Sequence, residues 1–570
     1  MSLQFIFGNS GSGKSHYLYQ QIVEESIRHP EKNYLVLVPE QFTMQTQKDL
    51  CMAHPRGGIM NIDVLSFGRL AHRVFEETGK ERQPILDDDG KNLVLRKIAG
   101  NYEDELTVLK GNLKKQGYIS EVKSVISEFT QYGIDFEQLD SFMEGLNPES
   151  YLYYKLKDIR KVYEGFEDYL RDKYITKEEL LDVLSQTVPE AKMLKDSVIA
   201  MDGFTGFTPV QNRLIGELLK VCDKIMLTVE IDRREDPFVY KHPYQLFALS
   251  KQMVTSLTEV AQEVRVEIDE PVWLCKNPSY RFKENPEMAF LEEELFRYSR
   301  RKYSGEKMRS ISLHEVHTPQ EEAQYVAEEI RRLVREEGYR YREIAVIASD
   351  LNTYADSLEK ACERYEIPVF MDHKKSILLN SFVEYLRGLL VMVEQNYTYE
   401  SVFRYLRTGL CGFTRDEVDR LENYCLALDL KGFKKWDQVW VRKTPMTKKE
   451  ELEELNQLRV RFVEKLTPLH TVLKKRKKTV KEITLAVYEY LVQEKIQEQL
   501  AELEQKFQED GELALAKEYA QIYRIVLELF DKFVELLGEE EIPLKEYCEL
   551  LDAGLEEAKV GVIPPSLDQV

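Results

Sequence analysis

Eight residues close to the N-terminus, Gly8-Asn9-Ser10-Gly11-Ser12-Gly13-Lys14-Ser15, restrict what this chain can fold into more than any other stretch. They fit G-x-x-x-x-G-K-[ST], the phosphate loop, and the flanks supply its required context, an apolar strand over 3–7 and an amphipathic helix starting near Lys14. Gly8, Gly11 and Gly13 carry no side chain, so the backbone can curl and aim successive N–H groups inward, a nest for phosphate oxygens at a helix N-terminus. In that role Asn9, Ser10 and Ser12 line the turn, Lys14 reaches the β- and γ-phosphates, and the Ser15 hydroxyl is a Mg²⁺ ligand. A flexible Gly/Ser turn is the bland alternative, and the agreement of motif and flanks speaks against it.

At 570 residues the chain has room for about four domain-sized units. A hydrophobic content of 43% with 31% charged residues excludes the disordered and collagen-like classes. No apolar run approaches a membrane span. Met1 leads straight into the first strand without a basic leader or cleavage site, so the expected address is the cytoplasm. The seven cysteines form no C-x-x-C pair, which points to neither a zinc site nor a disulfide framework. A net charge of −21 argues against a surface coated in basic residues, so any DNA binding must be local or shared with a partner.

Read in order, residues 1–86 begin an α/β domain. A strand over 33–39 completes a βαβ unit and exits through Glu40, Gln41, Phe42 and Thr43, where open parallel sheets place ligand contacts. A short strand over 63–65 leads to Ser66, Phe67, Gly68, Arg69, Leu70, Ala71 and His72; taken alone, this is a capped helix with a packed Phe67. Residues 87–190 turn helical. Leu152, Leu156, Ile159, Tyr163, Phe166 and Leu170 make one apolar stripe, and Thr176 with Glu179 is a capping box, so this span reads as a helical insertion.

The α/β pattern resumes over 191–305 with a strand ending in Asp202, the place of a Mg²⁺-holding carboxylate in phosphate-loop ATPases. A helix cap or plain strand terminus is the competing reading of Asp202. Gly203 follows, and no acid occurs from there through Gly216 to position an attacking water. Such a site binds nucleotide but is poorly equipped to hydrolyse it. Residues 306–385 read as a second α/β unit, with strands over 311–316, 343–348 and 368–371 between helices over 318–337 and 353–365. Residues 386–557 are helical, including one long helix expected over 480–507. The basic run 474–478 reads first as a solvated helix end, with a phosphate-backbone contact as the alternative. Trp436 and Trp440, near Lys434, Lys435 and Arg442, read first as core and second as a stacking platform for bases. Residues 558–570 look like the start of a return to the second sheet, cut short, so this is expected to be the front part of a longer polypeptide.

With the phosphate loop, Val38-Pro39-Glu40-Gln41-Phe42-Thr43, Ser66-Phe67-Gly68-Arg69-Leu70-Ala71, Asp202-Gly203-Phe204 and Ile563-Pro564-Pro565-Ser566-Leu567-Asp568-Gln569-Val570 in place, the chain resembles the AddB family over its whole length. These are the B subunits of bacterial AddAB helicase–nucleases, which use ATP with Mg²⁺. The resemblance implies a superfamily-1 helicase architecture: two parallel-sheet, RecA-like domains, each with a large all-helical insertion, the second incomplete here. It also implies a heterodimer with AddA, which supplies a motor, and a complex that processes broken DNA ends for recombination. In it the helicase-like part of AddB scans single-stranded DNA for the Chi sequence. The family's nuclease domain, with its metal and its iron–sulfur cluster, is expected beyond residue 570.

Three departures from active helicases of this superfamily point away from a motor. The Asp-Glu pair of the second motif is Asp202-Gly203, the arginine after the strand of motif four is replaced by Ser349, and the last two motifs would follow Val570. By position, the resemblance puts DNA contacts at Gln41, Thr43, Phe67, Arg69 and His72, with Phe204 or Phe207 as a further stack. Two other functions compete with a hydrolysis-poor reader of DNA. One is an active DNA-dependent ATPase and translocase, with Glu217 or another acid replacing the missing base. The other is a phosphate-loop kinase or transferase, which the second α/β unit and the two helical insertions disfavour.

Overall fold

The computed structural model describes all residues except 80–83, 113–115, 172, 306–307, 372–374, 444–448 and 561–567. The chain forms two compact units, one of residues 1–87 with 102–314, the other of 88–101 with 315–570.

In the first unit the strands follow in chain order as β1 (Ser2–Gly8), β2 (Tyr34–Leu37), β3 (Ile62–Leu65), β4 (Ile85–Leu86), β5 (Ile175–Thr176), β6 (Val198–Met201), β7 (Lys224–Glu230), β8 (Glu267–Ile268) and β9 (Val272–Trp273). The main sheet runs β3-β2-β6-β7-β1-β8, with β9 also on β1, and every pairing is parallel. β4 and β5 form a separate parallel pair. Side chains alternate across the sheet, so both faces must be apolar when both are covered. Phe5, Phe7, Leu37, Ile199 and Leu227 face one core under the helices Phe67–Thr78, Leu180–Thr187, Pro209–Leu219 and Ala248–Glu263. Ile6, Val36, Ala200 and Met226 face the other with Leu18 and Ile22 of the helix Lys14–Arg28. Because all strands point one way, Gly8, Glu230, Asp202, the turn Glu40–Phe42 and Ser66 arrive at one edge. The expected capping box is present: Glu179 N donates to Thr176 Oγ1 at 3.2 Å and Thr176 N to Glu179 Oε2 at 2.6 Å.

The second unit departs further from expectation. Residues 88–101, read from the sequence as the start of the insertion spanning 87–190, form a helix that packs in this unit, with Arg96 on Glu549 at 3.1 Å and Lys97 on Glu540 at 2.7 Å. An amphipathic pattern says which face is buried but not against which neighbour. The helices Pro319–Glu336 and Leu351–Arg364 pack through Ala323, Ala327 and Ile330 against Leu358, Ala361 and Cys362. The expected strands over 311–316, 343–348 and 368–371 are not assigned as strands among the described residues; Val570 alone pairs beside the last of them, accepting from Phe370 N at 3.0 Å and donating to Pro368 O at 2.9 Å. Leu313 is 97% and Ile347 95% exposed. Ile344, Val369 and Met371 do pack on that helix pair, but strand propensity also needs a ladder partner, and among the described residues only Val570 offers one, to the last segment.

The rest of the unit is helical, from Ser381–Glu394 to Leu544–Glu557. The long helix expected over 480–507 is two, Val480–Gln493 and Ile496–Glu509, broken where Lys495 takes φ +53°. Trp436 and Trp440 are both buried, their rings 5.2 Å apart, and Arg459 donates to Trp436 O at 2.7 Å; they are core, not a platform. The run 474–478 turns between two helices with Lys478 tucked onto Lys475 O at 3.0 Å. The segment Ile563 to Leu567, and with it most of the expected return to a second sheet, lies outside the described residues. No helix among the described residues is long and apolar enough to cross a membrane.

Candidate functional site

β1 stops at Gly8, and the chain turns back with Ser12 N donating to Asn9 O at 3.2 Å. Gly11 and Gly13 take φ +70° and +91°, conformations open to glycine at little cost. A Cβ on Gly8 would stand 2.2 Å from Ser12 Oγ and 2.9 Å from Lys14 Cγ, so the cradle tolerates no side chain there. The helix Lys14–Arg28 starts at once, with no acid in its first turn to oppose an anion at its free N–H groups. Ser12 Oγ is buried without a partner, and Ser15 is exposed. Lys14 folds back over the loop, Nζ to Asn9 O at 3.0 Å. Burial pulls its pKa down, while Glu230 and then Asp202 pull it back up. A glycine cradle, an ammonium and an unpartnered hydroxyl fit a nucleotide's phosphates.

Asp202 directly follows β6 and is 7% exposed. Its backbone N donates to Leu37 O at 3.1 Å; Oδ2 accepts from the Tyr19 hydroxyl at 2.7 Å and Oδ1 from the Thr228 hydroxyl. It is not a helix cap, since Thr208 caps the helix that follows. β7 lies between β6 and β1, so Asp202 and Lys14 stand within electrostatic reach across one strand. Gly203 takes φ +78°. Among the described residues no group of three or more His, Cys, Asp or Glu could hold a metal ion.

Two charged residues beside the loop escape sequence reasoning. Glu230 pairs in register with Gly8 and is the first of the charges acting on Lys14. Arg281 donates its backbone N to Gly11 O at 3.0 Å, and its charge also acts on Lys14. Asn9 is tied to the same segment, accepting from Lys276 N at 3.3 Å and donating to Glu292 at 3.1 Å. The loop thus has a guanidinium near it, that of Arg281. Neither Glu230 nor Arg281 carries a local signal, because their nearness to the loop arises only when β7 and the stretch after β9 fold beside β1. Glu217 is a different case. It sits near the far end of the helix Pro209–Leu219, about 12 Å along the axis from its start, and is paired with Lys220 at 2.6 Å.

The expected DNA contacts divide by exposure. Gln41, Arg69 and His72 are exposed, the last two one turn apart on the helix Phe67–Thr78. Thr43 is 4% exposed and its hydroxyl donates to Glu40 O at 3.0 Å, so it shapes the turn and does not reach outward. Phe67 is buried under Phe204 and Phe207, with ring centres 5.5 and 6.2 Å away. Phe204 and Phe207, 5.1 Å apart, are half-buried. Phe42, the aromatic of the exit 40–43, is exposed, and its ring comes within 3.8 Å of where a Gly203 Cβ would stand.

Comparison with known proteins places the whole chain among relatives of one kind. The family described as "ADDB, N-terminal" matches residues 5–292, and "UvrD-like helicase C-terminal domain" matches residues 282–558. The B subunit of the "ATP-dependent helicase/deoxyribonuclease" of Lachnoclostridium phytofermentans is 42% identical across 100% of this chain and 50% of its own length. The proteins of the same name from Clostridium novyi and Acetivibrio thermocellus are each 33% identical, again across 100% of this chain, and 49% and 50% of their own lengths. The chain spans about half the length of the curated relatives it matches.

Proposed function

The chain belongs to the AddB family, the B subunits of ATP-dependent helicase/deoxyribonucleases, and from that premise we propose that it is the nucleotide-binding, DNA-reading part of a subunit that processes DNA double-strand breaks. It binds ATP with Mg²⁺ and hydrolyses it poorly. It works in the cytoplasm beside AddA as a heterodimer, and holds single-stranded DNA from broken ends while scanning for Chi. The nuclease metal and the iron–sulfur cluster belong to sequence beyond residue 570.

One observation carries the nucleotide half of this reading. The phosphate loop is intact on β1 with Asp202 beside Lys14, while the position after Asp202 is a glycine at φ +78° without a carboxylate. Lys14 and the loop N–H groups bind phosphate oxygens, and Ser15 and Asp202 hold the metal's shell. A bound magnesium nucleotide supplies the charge that orders these groups. Phosphoryl transfer depends on placing the attacking water, and a missing placement costs orders of magnitude in rate. For DNA, the exposed Gln41, Arg69 and His72 offer polar contacts, and Phe204 and Phe207 offer faces for unpaired bases, with Thr43 and Phe67 supporting them from below.

A second reading, an active DNA-dependent ATPase, is favoured by Glu230 and Arg281, an acid and a guanidinium close to the loop. Glu230 acts first as the counter-charge of Lys14, which the poor-hydrolysis reading requires. ATP binding and turnover, measured with and without single-stranded DNA in wild type, Lys14→Ala and Glu230→Gln, separate the two. Binding without turnover supports the reader; DNA-stimulated turnover lost in both variants supports the motor.

A further inference from the structure

Beside the phosphate loop, four side chains from four elements form one row of hydrogen bonds. Thr228 on β7 donates to Asp202 Oδ1, Tyr19 on the loop's own helix donates to Asp202 Oδ2 at 2.7 Å, and the Tyr19 hydroxyl lies 3.3 Å from Thr46 Oγ1. Thr46 rides on the helix Thr43–Ala53, directly after the turn Glu40–Phe42 that reaches the DNA-facing edge. All four are buried, so water is poorly placed to complete the row.

The proton count allows the Tyr19–Thr46 bond two directions. A carboxylate offers only lone pairs, so the bond between Tyr19 and Asp202 uses the phenol's single proton. Tyr19 can then only accept from Thr46. If Asp202 turns its lone pairs to another donor, Tyr19 can give the same proton to Thr46, and the bond to the helix reverses. Each carboxylate oxygen keeps a further lone pair, so a second donor on Asp202 competes with Tyr19 without excluding it, and the balance between the two directions shifts with the strength of that donor.

We propose that Tyr19 is a positioning residue that couples magnesium–nucleotide binding at Asp202 to the DNA-facing turn Glu40–Phe42. This rests on the reading above, in which Asp202 holds the shell of the nucleotide's metal. Waters on a bound metal would be strong donors, and by competing for Asp202 they would weaken its hold on the Tyr19 proton and favour the bond toward Thr46. The end of β6 acts on the same turn directly. A Cβ on Gly203 would lie 3.6 Å from Pro39 and 3.8 Å from Phe42, so those residues pack on the backbone that Asp202 anchors.

The test is the affinity of the intact subunit for a fluorescein-labelled thymidine oligonucleotide, with and without Mg²⁺ and a non-hydrolysable ATP analogue. In wild type the two affinities should differ by about fivefold or more, the lower range of site-to-site coupling. In Tyr19→Phe and Thr46→Val the ratio should fall to within about twofold of one, while Thr46→Ser, which keeps the hydroxyl, retains the wild-type ratio. Melting temperatures confirm that the variants fold, and if one does not, the others decide. A wild-type ratio of one with both ligands bound overturns the coupling, as does an unchanged ratio in Tyr19→Phe or Thr46→Val. If wild type binds neither ligand, the site reading itself fails and the coupling falls with it.

Discussion

Gly203, the residue after Asp202, stands where the proposed reading misses a carboxylate to place the attacking water. Its φ of +78° is a conformation that costs an L-residue about 1–2 kcal/mol, so Gly203→Glu should lower the unfolding free energy by that amount in a urea titration. Restoring the acid by sequence alone therefore asks the strand end to change shape. A titratable residue outside the phosphate loop, Glu167, also bears on stability. Burial first, then the charge of Glu179, pushes Glu167 up to about 7 from its ordinary 4.5. Between those values the folded chain keeps a proton that the unfolded chain has released, so this group's contribution to stability falls as pH rises through that window. Glu167→Gln should flatten the decline in urea midpoint between about pH 5 and pH 8, and an unchanged profile would assign the decline to other groups.

At the scale of elements, β7 matters for where it lies: between β1 and β6 it sets the spacing of Lys14 from Asp202 and delivers Glu230 to Gly8. The helix Phe67–Thr78 has two jobs that mutation can separate. Phe67→Ala should destabilise the fold by about 3–5 kcal/mol, since its ring is buried under Phe204 and Phe207. Arg69→Ala should leave stability within about 0.5 kcal/mol and weaken single-strand binding. Elements with a strong local pattern were legible in the sequence: the phosphate loop between strand and helix, and the apolar runs of β1, β2, β6 and β7. β8 and β9 were not, because two residues carry no period. The segments over 311–316 and 343–348 have strand composition, but a strand is made by a neighbour, and composition does not report one. Glu230 and Arg281 were missed for the same reason, since their closeness to Lys14 exists only in three dimensions.

For the whole molecule, a net charge of −21 means that DNA cannot be held by a general basic surface. If the edge carrying Arg69 and His72 makes the contact, few phosphates are neutralised. The logarithm of affinity should then fall shallowly with the logarithm of salt, at about 0.7 per phosphate contact on a single strand, and Arg69→Ala should remove about one such step. A steep slope that Arg69→Ala leaves untouched would move the DNA to another surface, with the basic turn 474–478 the first to examine. The most direct measurement is steady-state ATP turnover of the subunit without its partner, with and without single-stranded DNA, beside equilibrium nucleotide binding. The expected result is saturable binding that Lys14→Ala abolishes, with turnover close to background that DNA does not raise. Vigorous DNA-stimulated turnover, lost in Lys14→Ala and in Glu230→Gln, would contradict it.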